Sequence, residues 1–190
     1  VASDPTALNA GLERFDETYS LEFQHSFAAK FGFSAWREDD APLVEEAFDM
    51  LHRAEIDMTL FFRRLAEVDP GTPDTETLME AFYDAEKRAA NLPAIEDWLR
   101  RWADRVRSDD EPEQLRRRRM NATNPRYVLR NYLAQQAIDG AEQGDPSMIH
   151  QLLDVLRHPY DEQPGAESFA RKRPDWARHK PGCSMLSCSS

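Results

Sequence analysis

Leu8, Leu12, Phe15, Tyr19, Phe23, Phe27 and Phe31 recur at intervals of three and four residues, the spacing that lines one face of an α-helix. Nothing in the chain alternates as a half-buried strand must. Runs of β-branched residues are almost absent and only 7 of 190 residues are glycine, so the pattern predicts an all-α fold. Ser3 or Asp4 ahead of Pro5 opens the first helix and Gly32 stops it. A second helix is expected from about Pro42, with Leu43, Ala47, Phe48 and Leu51 facing inward. Asp57 can cap a third over residues 59–68, burying Leu60, Phe61 and Leu65. After the Asp69-Pro70-Gly71-Thr72-Pro73 turn the period resumes at Leu78, Phe82 and Tyr83, and again at Ile95, Trp98, Leu99, Trp102 and Val106. The loop from Ser108 to Pro112 leads into a short arginine-rich helix. Asn124 and Pro125 are predicted to start a helix holding Val128, Leu129, Tyr132, Leu133 and Ile138, and Asp145-Pro146 to start the last one, through Leu152, Leu153 and Leu156. His158-Pro159 ends it. Beyond that point the sequence has no period, only Pro159, Pro164, Pro174 and Pro181. The reading is a helical domain over residues 1–157 and an extended, irregular tail over 158–190, with no internal repeat.

A charged fraction of 31% fits long amphipathic helices with solvated faces, and a hydrophobic fraction of 41%, with ten Phe, five Tyr and four Trp, is enough to bury a core. The net charge of −11 is unevenly spread. Residues 1–97 carry 8 basic and 22 acidic side chains, residues 98–130 carry 10 and 5, and residues 131–190 carry 6 and 8. An acidic chain is repelled by nucleic acid and by anionic membrane, so neither is a favoured partner. No apolar run approaches a bilayer span and no secretory segment opens the chain. Two cysteines cannot make a disulfide scaffold, which favours a reducing, intracellular home. A chain opening on Val1 is expected to be a piece of something longer, or what a cleaved tag leaves.

Both cysteines, Cys183 and Cys188, lie in the last eight residues. A thiol near a chain end is poorly placed for burial and well placed to reach a partner. Arg171, Lys172, Arg173, Arg178 and Lys180 precede it, and positive neighbours favour the thiolate, while the terminal carboxylate opposes this. A Cys183–Cys188 bridge would close only a tiny loop and stabilise little. Zinc held by His179, Cys183 and Cys188 would lack a fourth ligand and the tight Cys-x2-Cys spacing. The run Arg116 to Arg119, with Arg126 and Arg130, could bind phosphate, but four successive helical residues point around every side and face a strongly acidic N-terminal half. Asp39-Asp40 and Asp109-Asp110 read as loop and cap residues. No glycine-rich phosphate loop and no nucleophile–base spacing is present. From the residues alone, the chain is a helical module without a self-contained active site.

The stretch from Asn124 to Ile138, NPRYVLRNYLAQQAI, is very similar to a motif of the selenoprotein O (SelO, YdiU) family. So are Leu156 to Pro164, then Pro174-Asp175-Trp176-Ala177, and the closing Cys188-Ser189-Ser190, where that family has selenocysteine or cysteine third from the end. Asp57 to Leu65 and the helix from Phe15 to Gly32 also resemble family segments, so the likeness covers essentially the whole chain. It implies a protein-kinase-like fold that transfers AMP from ATP to Ser, Thr or Tyr hydroxyls of proteins, assisted by magnesium, in the bacterial cytoplasm or in mitochondria. It also implies that the nucleotide-binding lobe, the catalytic aspartate and the metal ligands precede this segment. No catalytic, ATP-binding or metal-binding residue is then expected among these 190, and the segment alone is expected to be inactive. Its partners would be the catalytic part of its own chain and protein substrates, with Cys188 and Cys183 as redox residues. The rival reading is a stand-alone helical module that binds a protein through its aromatic faces.

Overall fold

The computed structural model describes residues 5–180 and Cys183. Among them are seven α-helices: α1 Pro5–Phe31, α2 Asp40–Arg53, α3 Met58–Leu65, α4 Ala85–Arg107, α5 Glu113–Thr123, α6 Asn131–Glu142 and α7 Ser147–Leu156. Three short 3-10 turns, Thr75–Ala81, Glu167–Ala170 and Asp175–Arg178, complete the regular structure of the described residues. The all-α expectation holds: these residues form no strand, only an isolated bridge between Ile56 and Phe82.

The main core lies where the C-terminal end of α1 meets α2, α3 and α4. Phe31, Phe33, Phe61, Phe62, Trp98 and Trp102 are fully enclosed there. Each such side chain removes enough apolar surface from water to contribute roughly 2–3 kcal/mol. Phe62 meets Phe31 and Phe61 edge-on, at 5.0 and 5.2 Å between centroids, while Trp98 and Trp102 stack at 6.4 Å, both geometries the ring quadrupoles favour. Both indoles also bond to main chain: Trp98 Nε1 donates to Leu43 O (2.9 Å) and Trp102 Nε1 to Phe31 O (2.8 Å).

The end of α1 shows how closely the sequence is matched to this packing. Gly32, at φ +84°, puts the chain in the left-handed region, so its N–H reaches Ala29 O (3.3 Å) and that of Phe33 reaches Ala28 O (2.8 Å). This is the double bond of a Schellman stop. The carbonyls left over are claimed from outside the helix. Asn124 Nδ2 donates to Lys30 O (2.9 Å), Trp102 to Phe31 O, and Arg119 Nη2 to Gly32 O (3.0 Å). A Cβ on residue 32 would stand 2.6 Å from Met120 Sδ. Only glycine serves here.

Two predicted elements differ. Residues 75–81 form a 3-10 turn instead of an α-helical turn, because Ala81 O accepts from Asp57 N (2.8 Å) and Phe82 bridges to Ile56, drawing the chain alongside the α2–α3 connection. The helix expected from Asn124 begins only at Asn131. Asn124 instead ends α5, since Pro125 disfavours helical geometry in the residue before it. The N–H groups of Arg126 and Tyr127 both donate to Pro159 O (2.7 and 3.0 Å), which keeps 124–130 extended. Val128 and Leu129 therefore lie outside any helix.

Candidate functional site

The tail is seated on the helices. Cys183 is 5% exposed and packs with Tyr132, Leu133 and Ala137 of α6, Leu152 of α7, and Ala177. Trp176 meets Tyr132 edge-on at 6.2 Å. Cys188, the other expected redox residue, lies outside the described residues. Four of the cations that precede it are engaged by groups on other elements. Arg178 reaches both oxygens of Glu55 (2.5 and 2.8 Å), Arg173 lies 3.9 Å from the same carboxylate, Lys180 donates to Asp139 (2.9 Å), and Lys172 donates to Phe82 O. Glu55 also accepts from Lys87 (2.8 Å), and that bond chiefly, with Arg178, holds its carboxyl below the usual range against the opposing effect of partial burial. Its backbone sits at φ +51°, a conformation that disfavours an L-residue by about 1–2 kcal/mol. There the carboxylate gathers the tail cations.

A buried node ties the tail's seat to the main core. Asp57, 4% exposed, caps α3 by accepting from Leu60 N (3.0 Å). Its two oxygens also take the Arg130 guanidinium (2.5 and 2.9 Å) and the Tyr83 hydroxyl (2.6 Å). Tyr83 Oη in turn accepts from the backbone N–H of Arg173 (3.2 Å). Burial acts to raise the Asp57 carboxyl, but the Arg130 fork, the Tyr83 hydroxyl and the Leu60 N–H outweigh it and hold the group ionised below its ordinary range. Tyr83 is pushed up to about 12 by burial first and by its hydrogen bond to Asp57 second, with the Asp57 charge adding to it. A carboxylate whose lone pairs are filled by four donors is not free to take a proton from a substrate, so the node positions chain segments. Sequence reasoning found the cap but not its partner. Arg130 is 73 positions away, and no local pattern announces such a pairing.

The arginine run divides as helical geometry requires. Arg116 is buried and donates to Ala66 O (3.3 Å) and Val68 O (2.9 Å), closing the C-terminal end of α3. Arg119 pairs with Glu111 (2.5 Å) and Arg117 faces Glu113 (3.6 Å). The acid pairs are more than loop residues: Asp40 and Asp109 both grip Arg105, at 2.5 and 2.7 Å. Among the described residues no three His, Cys, Asp or Glu side chains converge to hold an ion. None of the described helices is long and apolar enough to cross a membrane.

Fold and site together define an all-α module that seats an irregular strap carrying a buried cysteine. Residues 1–157 match the model of a family described as protein adenylyltransferase SelO, and the chain belongs to that family. The protein nucleotidyltransferase YdiU of Xanthomonas axonopodis pv. citri is 52% identical over 187 residues, covering 98% of this chain and 36% of that protein. The YdiU protein of Tolumonas auensis is 54% identical over 190 residues, covering 100% and 37%, and that of Aromatoleum aromaticum 52% over 189, covering 100% and 36%. The chain thus spans little more than a third of the length of the curated relatives it matches.

Proposed function

We propose that this chain acts as the helical part of a protein adenylyltransferase, which moves AMP from ATP, with magnesium, to hydroxyl side chains of proteins. The observation that carries the reading is the SelO match over residues 1–157 joined to more than half identity along the whole chain to proteins named nucleotidyltransferases. The ATP and metal groups belong to the portion of the family polypeptide that this chain does not span. The role of these residues is to buttress that portion and to carry the tail thiol. Cys183 is packed among apolar side chains, which supports Cys188 as the thiol that exchanges with a partner. Pairing two thiols releases two protons and two electrons to an oxidant. Cys188 follows Cys183 by five positions, so its backbone can stand at most about 18 Å from that of Cys183, and a partner thiol must come within that reach.

Labelled ATP and a generic protein acceptor test the first part. The longer family protein is expected to transfer AMP and this chain alone to transfer none; robust transfer by the chain alone would overturn the assignment. Cys188→Ser in the longer protein tests the second part. It should abolish any response of activity to oxidant, and an unchanged response would remove the regulatory role.

A further inference from the structure

The apolar stripe of α1 is only half used. Phe27 and Phe31 turn into the core, where Phe27 packs on Phe48 at 5.7 Å and Phe31 on Phe62. Toward the N-terminus the same stripe continues in the open. Leu12, Phe15, Tyr19 and Phe23 are 55%, 63%, 59% and 41% exposed, although their rings form an unbroken ladder: Phe15 to Tyr19 at 6.0 Å, Tyr19 to Phe23 at 6.1 Å and Phe23 to Phe27 at 4.2 Å. The side chain of Leu8 lies outside the described residues. A helix of 27 residues is about 40 Å long, so the open ladder runs for roughly three turns. Beside it Tyr19 and Phe23 form one wall of a groove of about 610 Å³, whose other wall is Trp36 and Ala41. A continuous aromatic face of this size, standing in water at the edge of a core it extends, marks an interface.

From this we infer that the face from Leu12 to Phe23, with the Trp36 groove, docks the portion of the family polypeptide that lies outside this chain. The inference rests on the reading above, that this chain works as part of the longer adenylyltransferase. Two observations choose the occupant. Nearly two thirds of each relative lies beyond the matched stretch, while that stretch covers 98–100% of this chain; a face covered within one polypeptide meets its partner at high effective concentration. The border of the stripe is mostly acidic: Asp16, Glu22 and the groove residue Glu38 are exposed there, against Arg14 on the same helix, in the half of the chain that carries 22 acidic side chains against 8 basic. A second copy would bring like charges together across a two-fold axis, which disfavours self-pairing. The segment that docks is therefore apolar at its centre and carries Lys or Arg at its edges.

Amide exchange on the wild-type protein tests this without any variant. Residues 12–23 should exchange about tenfold more slowly, or better, in the longer family protein than in this 190-residue chain. The double variant Phe15→Ser/Tyr19→Ser should lower the melting temperature of the longer protein by several degrees and leave that of the 190-residue chain unchanged. Equal exchange of α1 in the two lengths overturns the inference. So does a 190-residue chain that forms dimers in sedimentation and loses them with the double variant, which would make a second copy the occupant. Neither readout involves AMP transfer, so protection of α1 in a protein that transfers no AMP would separate a failure of the function from a failure of the interface.

Discussion

The core around Trp98 and Trp102 and the seat of the tail around Tyr132 are built by different forces. In the first, six large rings from three helices and one loop are enclosed together, and the indole N–H groups bond to main-chain carbonyls at helix ends. In the second, two small clusters of a few side chains each do the burying, and ion pairs join it to the rest of the molecule: Arg130 on Asp57, Arg178 on Glu55, Arg63 on Glu162. Burial gives the first region stability that rests mainly on apolar surface and is not screened by salt. Charge pairing gives the second an attachment that depends on pH and ionic strength. A strap that carries a thiol near its end can thus be loosened while the core stays folded.

The difference is broken most severely from the core side. Trp98→Ala removes a fully enclosed indole and its bond to Leu43 O, and should cost about 3–5 kcal/mol in urea unfolding, taking both regions with it. A loss under about 1 kcal/mol would mean the rings are not what holds the helices. Next comes the node. Arg130→Met leaves Asp57 ionised, buried and short of two donors, and should cost about 3 kcal/mol. Adding Asp57→Asn should restore part of that loss, and a purely additive double variant would deny the coupling.

The pH dependence sharpens the comparison because its two limbs have separate sources. The folded value of Asp57 is depressed, so its contribution is complete above the unfolded value of about 4 and fades as pH falls through the lower folded value. The acid limb of the stability curve should flatten in Asp57→Asn. Tyr83 is raised to about 12, so its contribution is complete below the unfolded value of about 10 and is lost as pH rises from there to about 12. Tyr83→Phe should remove that limb and, by taking one donor from Asp57, weaken the acid limb slightly as well. An acid limb unchanged in Asp57→Asn would contradict the ionised node.

The smallest effect belongs to the Glu55 clamp, which is partly exposed. Glu55→Gln should cost about 0.5–1 kcal/mol and leave the unfolding midpoint of the core almost still. Its signature is local: in a Cys188→Ser background, maleimide labelling of Cys183 should speed up in Glu55→Gln and in high salt. Labelling indifferent to both would show that Tyr132, Trp176 and their neighbours hold the tail without the charges.

Much of this was legible in the chain itself. The spacing from Leu12 to Phe31, the Gly32 stop, the Asp57 cap and the inward positions of α2, α3 and α4 are local signals, written within one or two turns, and the structure carries each of them. Asn124 misled because the same Asn-Pro pair can start a helix or finish one: here Pro125 ends α5, and the Asn124 amide, instead of capping a new helix, bonds to Lys30 O, 94 residues away. The family was also in the sequence, since long contiguous motifs need no coordinates to be compared.

The sequence by itself determined that the chain is helical, where most helices stop, and to which family it belongs, because those properties depend on neighbours along the chain. Tertiary structure alone decided which part of the α1 stripe is buried, that Arg116 closes α3 instead of facing an anion, that Arg130 completes Asp57, and that Cys183 is packed away. Each of those depends on groups from about 20 to 75 residues apart meeting in one place. Local periodicity carries no information about which distant element arrives to cover a face.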